Sequence, residues 1–220
     1  MTELNIEKAR FNMVEQQIRT WEVLDPRVLD AVMQIPRECF VPPGHRNLAF
    51  ADLRIPLGHD QVMLEPKLDA RIVQALNPQP TEQALEIGTG SGYLTAVLAS
   101  LCAHVTSVEI HPEFSELAAN NLKAQGIDNV TLETGDASQG WGSDRRFDVI
   151  AVTGSVPQQY RAFHDKLSIG GRLLQIVGEG PIMEALLITR VAEDQWASES
   201  LLDTVAPPLI QAREPARFAL

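Results

Sequence analysis

The spacing of apolar residues changes about a third of the way along the chain. Before that point apolar positions recur at helical intervals and predict helices over 9–20, from 26 onward and over 67–76. Asp25 and Pro26 mark a helix start, because an aspartate caps free backbone N–H groups and proline suits the first helical position. The prolines and glycine between residues 40 and 56 predict a loop.

From residue 83 onward, strand-like and helix-like stretches alternate. Short runs rich in valine and isoleucine predict strands over 83–87, 104–110, 130–134, 147–152, 172–177, 182–191 and 198–205. Predicted helices lie between the first strands, over 93–101, 112–125 and 157–167, the last ended by Gly170 and Gly171. Such alternation requires right-handed crossovers and a mainly parallel sheet, whereas the short final connection predicts an antiparallel hairpin.

The predicted fold class is therefore α/β. We expect a doubly wound, mainly parallel seven-stranded sheet with an antiparallel edge strand and an N-terminal helical extension. We expect the extension, helices and loops on the substrate side, to cover residues 1–80. A Rossmann-like domain should cover residues 81–220.

Composition narrows the class of protein. The chain has 220 residues and a net charge of −11, and its 18 lysines and arginines form no basic patch, so no nucleic-acid partner is predicted. The N-terminus has no signal-peptide pattern, and no apolar stretch reaches the roughly 20 residues of a membrane span. Cys39, Cys102 and the dispersed histidines provide no disulfide framework and no metal site. We expect a soluble protein of a reducing cytoplasm, without membrane or metal.

A glycine-rich loop is the strongest functional signal. Glu86-Ile87-Gly88-Thr89-Gly90-Ser91-Gly92 follows a predicted strand and precedes a predicted helix. In open α/β sheets ligands bind beyond the carboxyl ends of the strands. Glycines let a ligand approach the backbone, and N–H groups at a helix start favour an anion such as the carboxylate of S-adenosylmethionine.

Loops of this kind also bind dinucleotides, and three features favour S-adenosylmethionine instead. Tyr93 stands where the third glycine of the dinucleotide pattern would fall. Glu109 ends the second strand and suits ribose hydroxyls, while Asp136 follows the third and suits the adenine amino group. Alternatively, Glu109 is a solvated strand-end acid and Asp136 a turn former. The predicted cofactor-binding residues are Glu86, Gly88, Thr89, Gly90, Ser91, Gly92, Glu109, Ile110, Asp136, Ala137 and Thr153.

These residues lie within a wider resemblance. The chain resembles the protein-L-isoaspartate (D-aspartate) O-methyltransferase family over roughly residues 10–180. The matching stretches include Met13 to Ile18, Ile35 to Pro42, Leu85 to Tyr93, Val108 to Ile110, Val152-Thr153 and Gly170 to Leu173. The resemblance implies the fold of S-adenosylmethionine-dependent methyltransferases, that cofactor, and methylation of isoaspartyl carboxylates in damaged proteins.

One segment departs from the family pattern. Where the family has Gly-Gln-Thr-Ile-Ser-Gln-Pro, this chain has Asp60-Gln61-Val62-Met63-Leu64-Glu65-Pro66. The resemblance places Gln61, Val62 and Leu64 at the catalytic site, with Val62 and Leu64 in place of hydroxyl residues. A substrate carboxylate would lose hydrogen-bond donors there, and Glu65 would add a like charge.

Three hypotheses remain open on the sequence alone. The first is an enzyme that methylates isoaspartyl peptides in proteins. The second keeps S-adenosylmethionine but methylates another acceptor, because an apolar wall at Val62 and Leu64 suits a neutral nucleophile. The third is a module that binds the cofactor without catalysing a reaction. The oligomeric state is not predicted.

Overall fold

The computed structural model of the chain describes residues 5–142 and 144–212. Its first part is a helix, α1 (Ile6–Met13), that continues as a π-helical segment (Val14–Ile18) and a 3₁₀ turn (Arg19–Trp21). Helix α2 (Pro26–Gln34) follows. Asp25 caps α2 as predicted, since its carboxylate accepts a 2.9 Å hydrogen bond from the backbone N–H of Arg27.

The predicted loop between residues 40 and 56 contains regular structure. Two 3₁₀ turns (Arg37–Cys39 and Pro43–Leu48) lead to β1 (Ile55–Gly58), which pairs with β2 (Gln61–Met63) in an antiparallel hairpin. Helix α3 (Pro66–Leu76) then begins at its proline, as the sequence predicts. The segment that departs from the family pattern thus forms the second strand of a hairpin.

Seven strands form the main sheet, in the order β5-β4-β3-β6-β7-β8-β9. They are β3 (Gln83–Ile87), β4 (His104–Glu109), β5 (Val130–Thr134), β6 (Phe147–Val156), β7 (Leu167–Glu179), β8 (Ile182–Ala192) and β9 (Gln195–Thr204). Strands β3 to β7 run parallel, and β8 runs antiparallel to both neighbours, so the antiparallel edge is the β8–β9 hairpin. The predicted fold class is confirmed.

Helices cover both faces of the sheet. They are α4 (Tyr93–Ala99), α5 (Pro112–Ala124) and α6 (Arg161–His164) in addition to the N-terminal ones. Successive residues of β3 alternate between faces: Ala84 packs in a core shared with Met13 of α1, and Leu85 packs in a second core with Phe163 of α6. The N-terminal helices therefore bury their apolar side against the sheet.

The structure corrects the prediction for residues 157–177. The predicted helix over 157–167 shrinks to α6, and β7 begins at Leu167 and runs through Gly170 and Gly171. Gly171 allows close strand packing, because a Cβ there would lie 3.1 Å from the carbonyl oxygens of Phe147 and Asp148, whereas Gly170 adopts a φ of +82°. Within the described residues, no helix is long and apolar enough to cross a membrane.

Candidate functional site

The carboxyl ends of β3, β4, β5 and β6 meet at one edge of the sheet. Between β3 and β6 the chain order reverses, which is where open α/β sheets bind ligands. The ends are tied together, since the N–H of Gly88 donates to Val108 O at 2.9 Å and that of Gly135 donates to Glu109 O at 2.8 Å. The predicted cofactor residues come from these strand ends.

Two glycines of the loop occupy positions that a side chain would disturb. Gly88 has φ +97°, and a Cβ there would lie 2.2 Å from Oγ1 of Thr153. That hydroxyl donates to the carbonyls of Ile87 and Gly88, each at 3.0 Å, so Thr153 supports the loop from β6. Gly90 has φ +54°, and its Cβ would lie 3.1 Å from Leu57 on the hairpin.

Gly92 has a different environment from the other two loop glycines. It precedes α4 with φ +83°, and a Cβ there would lie 3.0 Å from Cβ of Ala118 on α5. Gly92 lines neither of the two cavities described below. Its position allows α4 and α5 to pack closely.

A larger cavity of about 680 Å³, partly open to solvent, lies beyond the strand ends. The predicted site residues that line it are Gln61, Val62, Leu64, Gly88, Gly90, Glu109, Ile110, Asp136, Ala137 and Thr153. The structure therefore brings most of the predicted cofactor and catalytic residues to one place.

A smaller cavity of about 330 Å³ adjoins the larger one beside the glycine loop. Glu86, Thr89 and Ser91 line this smaller cavity, together with residues that also line the larger one. Asp69 of α3 and Tyr93 of α4 complete the wall. Sequence reasoning did not select Asp69, because an acid within a helix is usually a solvated residue.

Glu109 is buried and bound to the loop. Its Oε2 accepts a 2.9 Å hydrogen bond from the N–H of Gly90, and its Oε1 accepts one of 3.0 Å from the N–H of His111. Asp136 is exposed instead, and its Oδ1 accepts from the N–H of Ser138 at 2.8 Å. Both carboxylates line the larger cavity, on neighbouring strand ends.

Two buried acids beside the smaller cavity have raised pKa values. Loss of solvation on burial raises the pKa of Glu86 to about 8, although the hydroxyls of Ser107 and Thr95 donate to Oε2. Burial also raises the pKa of Asp69 to about 6, opposed by the nearby Arg37. A neighbouring cation would favour the charged form of either acid.

The β1–β2 hairpin closes one side of the larger cavity. At its turn, the ring of His59 stacks on that of His111 with centroids 4.4 Å apart, and both rings meet the edge of Phe114. The histidines are therefore less dispersed than expected. Ligand atoms of His59, His111 and Glu113 lie within 4.8 Å of one another, and the two rings are nearly parallel, at 18°.

Arg37 holds the chain where it leaves the β1–β2 hairpin. Its buried guanidinium donates to Leu64 O, to Ala49 O at 3.1 Å and to Asp69 Oδ2 at 2.7 Å, and lies 4.6 Å from the centre of the Tyr93 ring. Arg54 forms a 3.1 Å ion pair with Glu65. Glu65 is thus paired with a cation, which reduces the like charge expected from it.

The C-terminal segment over 205–210 forms a wall that sequence reasoning missed. Ser155 at the end of β6 donates its N–H to Pro207 O, and its carbonyl accepts from the N–H of Leu209, both at 2.8 Å. Gly154 leaves room for the C-terminal segment to pass close to β6, since a Cβ there would lie 2.9 Å from Cα of Leu209. Residues 207–210 line the larger cavity. The pair Pro207-Pro208 indicates only extended backbone and gives no sign of this position.

Comparison with known proteins agrees with this geometry. The family model described as Protein-L-isoaspartate(D-aspartate) O-methyltransferase (PCMT) matches residues 8–213. Protein-L-isoaspartate O-methyltransferase 1 of Rhodopseudomonas palustris (strain HaA2) is 40% identical over 202 residues, which cover 91% of this chain and 82% of that protein. Its namesake in Syntrophus aciditrophicus (strain SB) is 39% identical over 188 residues, 86% of each chain.

A solved structure has the same fold. It is a Plasmodium falciparum protein described as a protein-L-isoaspartate O-methyltransferase, in complex with S-adenosyl-L-homocysteine. The TM-score is 0.76 at 20% identity, covering 91% of this chain and 97% of that chain. The family model and the relatives that are about 40% identical decide the assignment. This chain belongs to the protein-L-isoaspartate (D-aspartate) O-methyltransferase family.

Proposed function

We propose that this chain is an enzyme that transfers the methyl group of S-adenosylmethionine to isoaspartyl carboxylates in damaged proteins. One observation carries the proposal: Gly88 and Gly90, Glu109 and Asp136, from three successive strand ends, line one cavity of about 680 Å³. Membership of the family over residues 8–213 supports the same activity.

The cofactor would lie across both cavities. The loop over 88–91 would bind its carboxylate, Glu109 its ribose hydroxyls and Asp136 its adenine amino group. Carboxylates suit both of the last two roles, because they accept two hydrogen bonds from neighbouring donors. Bound S-adenosylmethionine supplies an electrophilic methyl group on its sulfonium. Gly92, which lines neither cavity, would act by packing α4 against α5.

The hairpin would align the acceptor. Gln61, Val62 and Leu64 line the larger cavity, and Leu64 is held through its carbonyl by Arg37. An isoaspartyl carboxylate would be an anionic nucleophile, so its conversion to a methyl ester would require no proton transfer by residues of this chain. The protein then contributes alignment and exclusion of water, which apolar side chains at 62 and 64 favour.

The test is transfer of labelled methyl to a defined peptide. We expect tritium from S-adenosylmethionine to enter a peptide that contains one isoaspartyl residue, and not the same peptide with normal aspartate. The ester should lose its label as methanol in mild base. Equal labelling of both peptides, or of neither, would argue against the proposed acceptor.

A second candidate function keeps the cofactor and changes the acceptor. It is favoured by the side chains of Val62 and Leu64, which place methyl groups where the family pattern has hydroxyls. Labelling of a cell extract in the presence of the protein would reveal such an acceptor. Tight cofactor binding without any labelled product would instead favour a binding module.

Two further expectations are part of the proposal. We place the protein in the cytoplasm, which suits the free thiols of Cys39 and Cys102. We also propose that residues 1–80 serve mainly the acceptor side, whereas residues 81–220 bind most of the cofactor. The position of β1 and β2 at the mouth of the larger cavity supports that division.

A further inference from the structure

Two carboxyl groups line the smaller cavity, and each has one oxygen occupied. Oδ2 of Asp69 accepts a 2.7 Å hydrogen bond from Arg37. Oε2 of Glu86 accepts from the hydroxyl of Ser107 at 2.6 Å and from that of Thr95. Both side chains are more than nine-tenths buried, so the surrounding residues fix their positions.

The second oxygen of each acid has no partner among the described residues. Oε1 of Glu86 is buried and accepts no hydrogen bond from any described residue. The hydrogen bonds of the described residues also leave Oδ1 of Asp69 without a donor. Buried carboxyl oxygens are normally satisfied, so the unused Oε1 of Glu86, with Oδ1 of Asp69 on the same cavity wall, points to a ligand that brings donors. An ammonium group carries three N–H donors and a positive charge.

The same cavity wall also carries unused hydrogen-bond donors. The backbone N–H groups of Thr89 and Ser91 have no acceptor among the described residues. Unused N–H groups suit a carboxylate, as unused carboxyl oxygens suit an ammonium. The smaller cavity therefore offers acceptors and donors side by side, which matches the two charged groups of an α-amino acid.

Charge balance also favours a zwitterion. Arg37 is buried and already paired with Asp69, so the ion pair has no net charge. A ligand group with one positive and one negative charge adds no net charge to the cavity, whereas an isolated anion would add an uncompensated charge beside Glu86.

We infer that Asp69 is a cofactor-binding residue which, with Glu86, binds the α-ammonium group of S-adenosylmethionine in the smaller cavity. The inference rests on the proposed cofactor and adds a residue that the sequence-based site lacks. Through Arg37, the same carboxylate is connected to the carbonyl of Leu64, so the residue that meets the cofactor also supports the acceptor hairpin.

Calorimetry with two ligands tests the inference. The ligands are S-adenosylhomocysteine and its analogue that lacks the α-amino group. For Asp69→Asn we expect at least a tenfold loss of affinity for S-adenosylhomocysteine and less than a twofold change for the analogue. The analogue is an internal control, because a distorted site would weaken both ligands alike. Asp52→Asn is the matched variant, since Asp52 is exposed, pairs with Lys67 and lines neither cavity.

The remaining outcomes overturn the inference in distinguishable ways. Equal losses for both ligands would assign Asp69 a structural role. Unchanged affinity with slower methyl transfer would assign it to alignment of the acceptor. A parent protein that binds neither ligand would overturn the proposed cofactor as well. If Asp69→Asn does not fold, Glu86→Gln should give the same ligand-selective loss, and equal losses there would refute the shared ammonium site.

Discussion

The carboxylate of Glu109 accepts a 2.9 Å hydrogen bond from the backbone N–H of Gly90. The acid at the end of β4 and the glycine loop after β3 are therefore one unit, joined across neighbouring strands. A change in either residue should alter the position of the other. This coupling separates Glu109 from an ordinary solvated acid at a strand end.

Replacing Glu109 should weaken cofactor binding. We expect Glu109→Ala to reduce the affinity for S-adenosylhomocysteine by about 1–3 kcal/mol, the range for a charge-assisted hydrogen bond. Isothermal calorimetry measures this, with Glu113→Ala on the exposed first turn of α5 as control. A change within about 0.5 kcal/mol would be the behaviour of a surface residue and would remove Glu109 from the site.

A branched side chain at Gly90 should disturb both the loop and the hairpin above it. The φ of +54° disfavours valine, and the nearest atom to a new Cβ is Leu57 on β1, at 3.1 Å. For Gly90→Val we expect at least tenfold weaker cofactor binding, about 1.4 kcal/mol. Gly126→Val is the control, because Gly126 has φ +69° and open space around its Cβ position. Equal affinity in the two variants would contradict the site assignment.

Restoring a hydroxyl at residue 62 should raise activity on isoaspartyl peptides. Val62→Thr preserves the shape of the side chain and adds a donor for the substrate carboxylate, whereas Val62→Ala controls for the altered wall. Turnover with an isoaspartyl peptide should rise only in the threonine variant, with cofactor affinity unchanged. If the unchanged protein already turns over the isoaspartyl peptide as fast as Val62→Thr does, the hydroxyl is dispensable.

The second replacement, Leu64→Ser, carries a structural cost. Leu64 is buried in the main core, where loss of a large apolar side chain costs about 2–5 kcal/mol. We therefore expect the double variant Val62→Thr with Leu64→Ser to need a stability measurement beside its activity. If it remains folded and still fails to exceed Val62→Thr, the hydroxyl at residue 64 adds nothing.

Glu86 should make the protein less stable as pH rises. Burial raises its pKa from the ordinary 4.5 to about 8, so the folded state retains a proton that the unfolded state releases. Between those values the folded state binds more protons, and stability falls with rising pH, by at most about 1.4 kcal/mol per unit. Urea unfolding at pH 6.5 and 8 should show a smaller fall for Glu86→Gln. An equal fall in stability in the unchanged protein and in Glu86→Gln would show that Glu86 is not the cause of the pH dependence.

Local patterns predicted the sheet and the glycine loop, because the strands are buried and glycine marks positions that backbone geometry requires. The β1–β2 hairpin was missed, since strands of four and three residues are too short to display a period. The pairing of Glu65 was not predicted, because its partner, Arg54, lies eleven residues away with no local signal. Asp69 was missed because only the folded chain shows its contact with Arg37, 32 residues distant.

The position of residues 207–210 has a consequence for the order in which the protein matures. One wall of the larger cavity comes from β1 and β2, and another comes from a segment some 150 residues later. Arg54 even donates a hydrogen bond to the carbonyl of Val205 across that distance. During synthesis, the seven strands can therefore leave the ribosome before the pocket is complete. Cleavage after Thr204 would likewise spare every strand of the sheet and remove the wall.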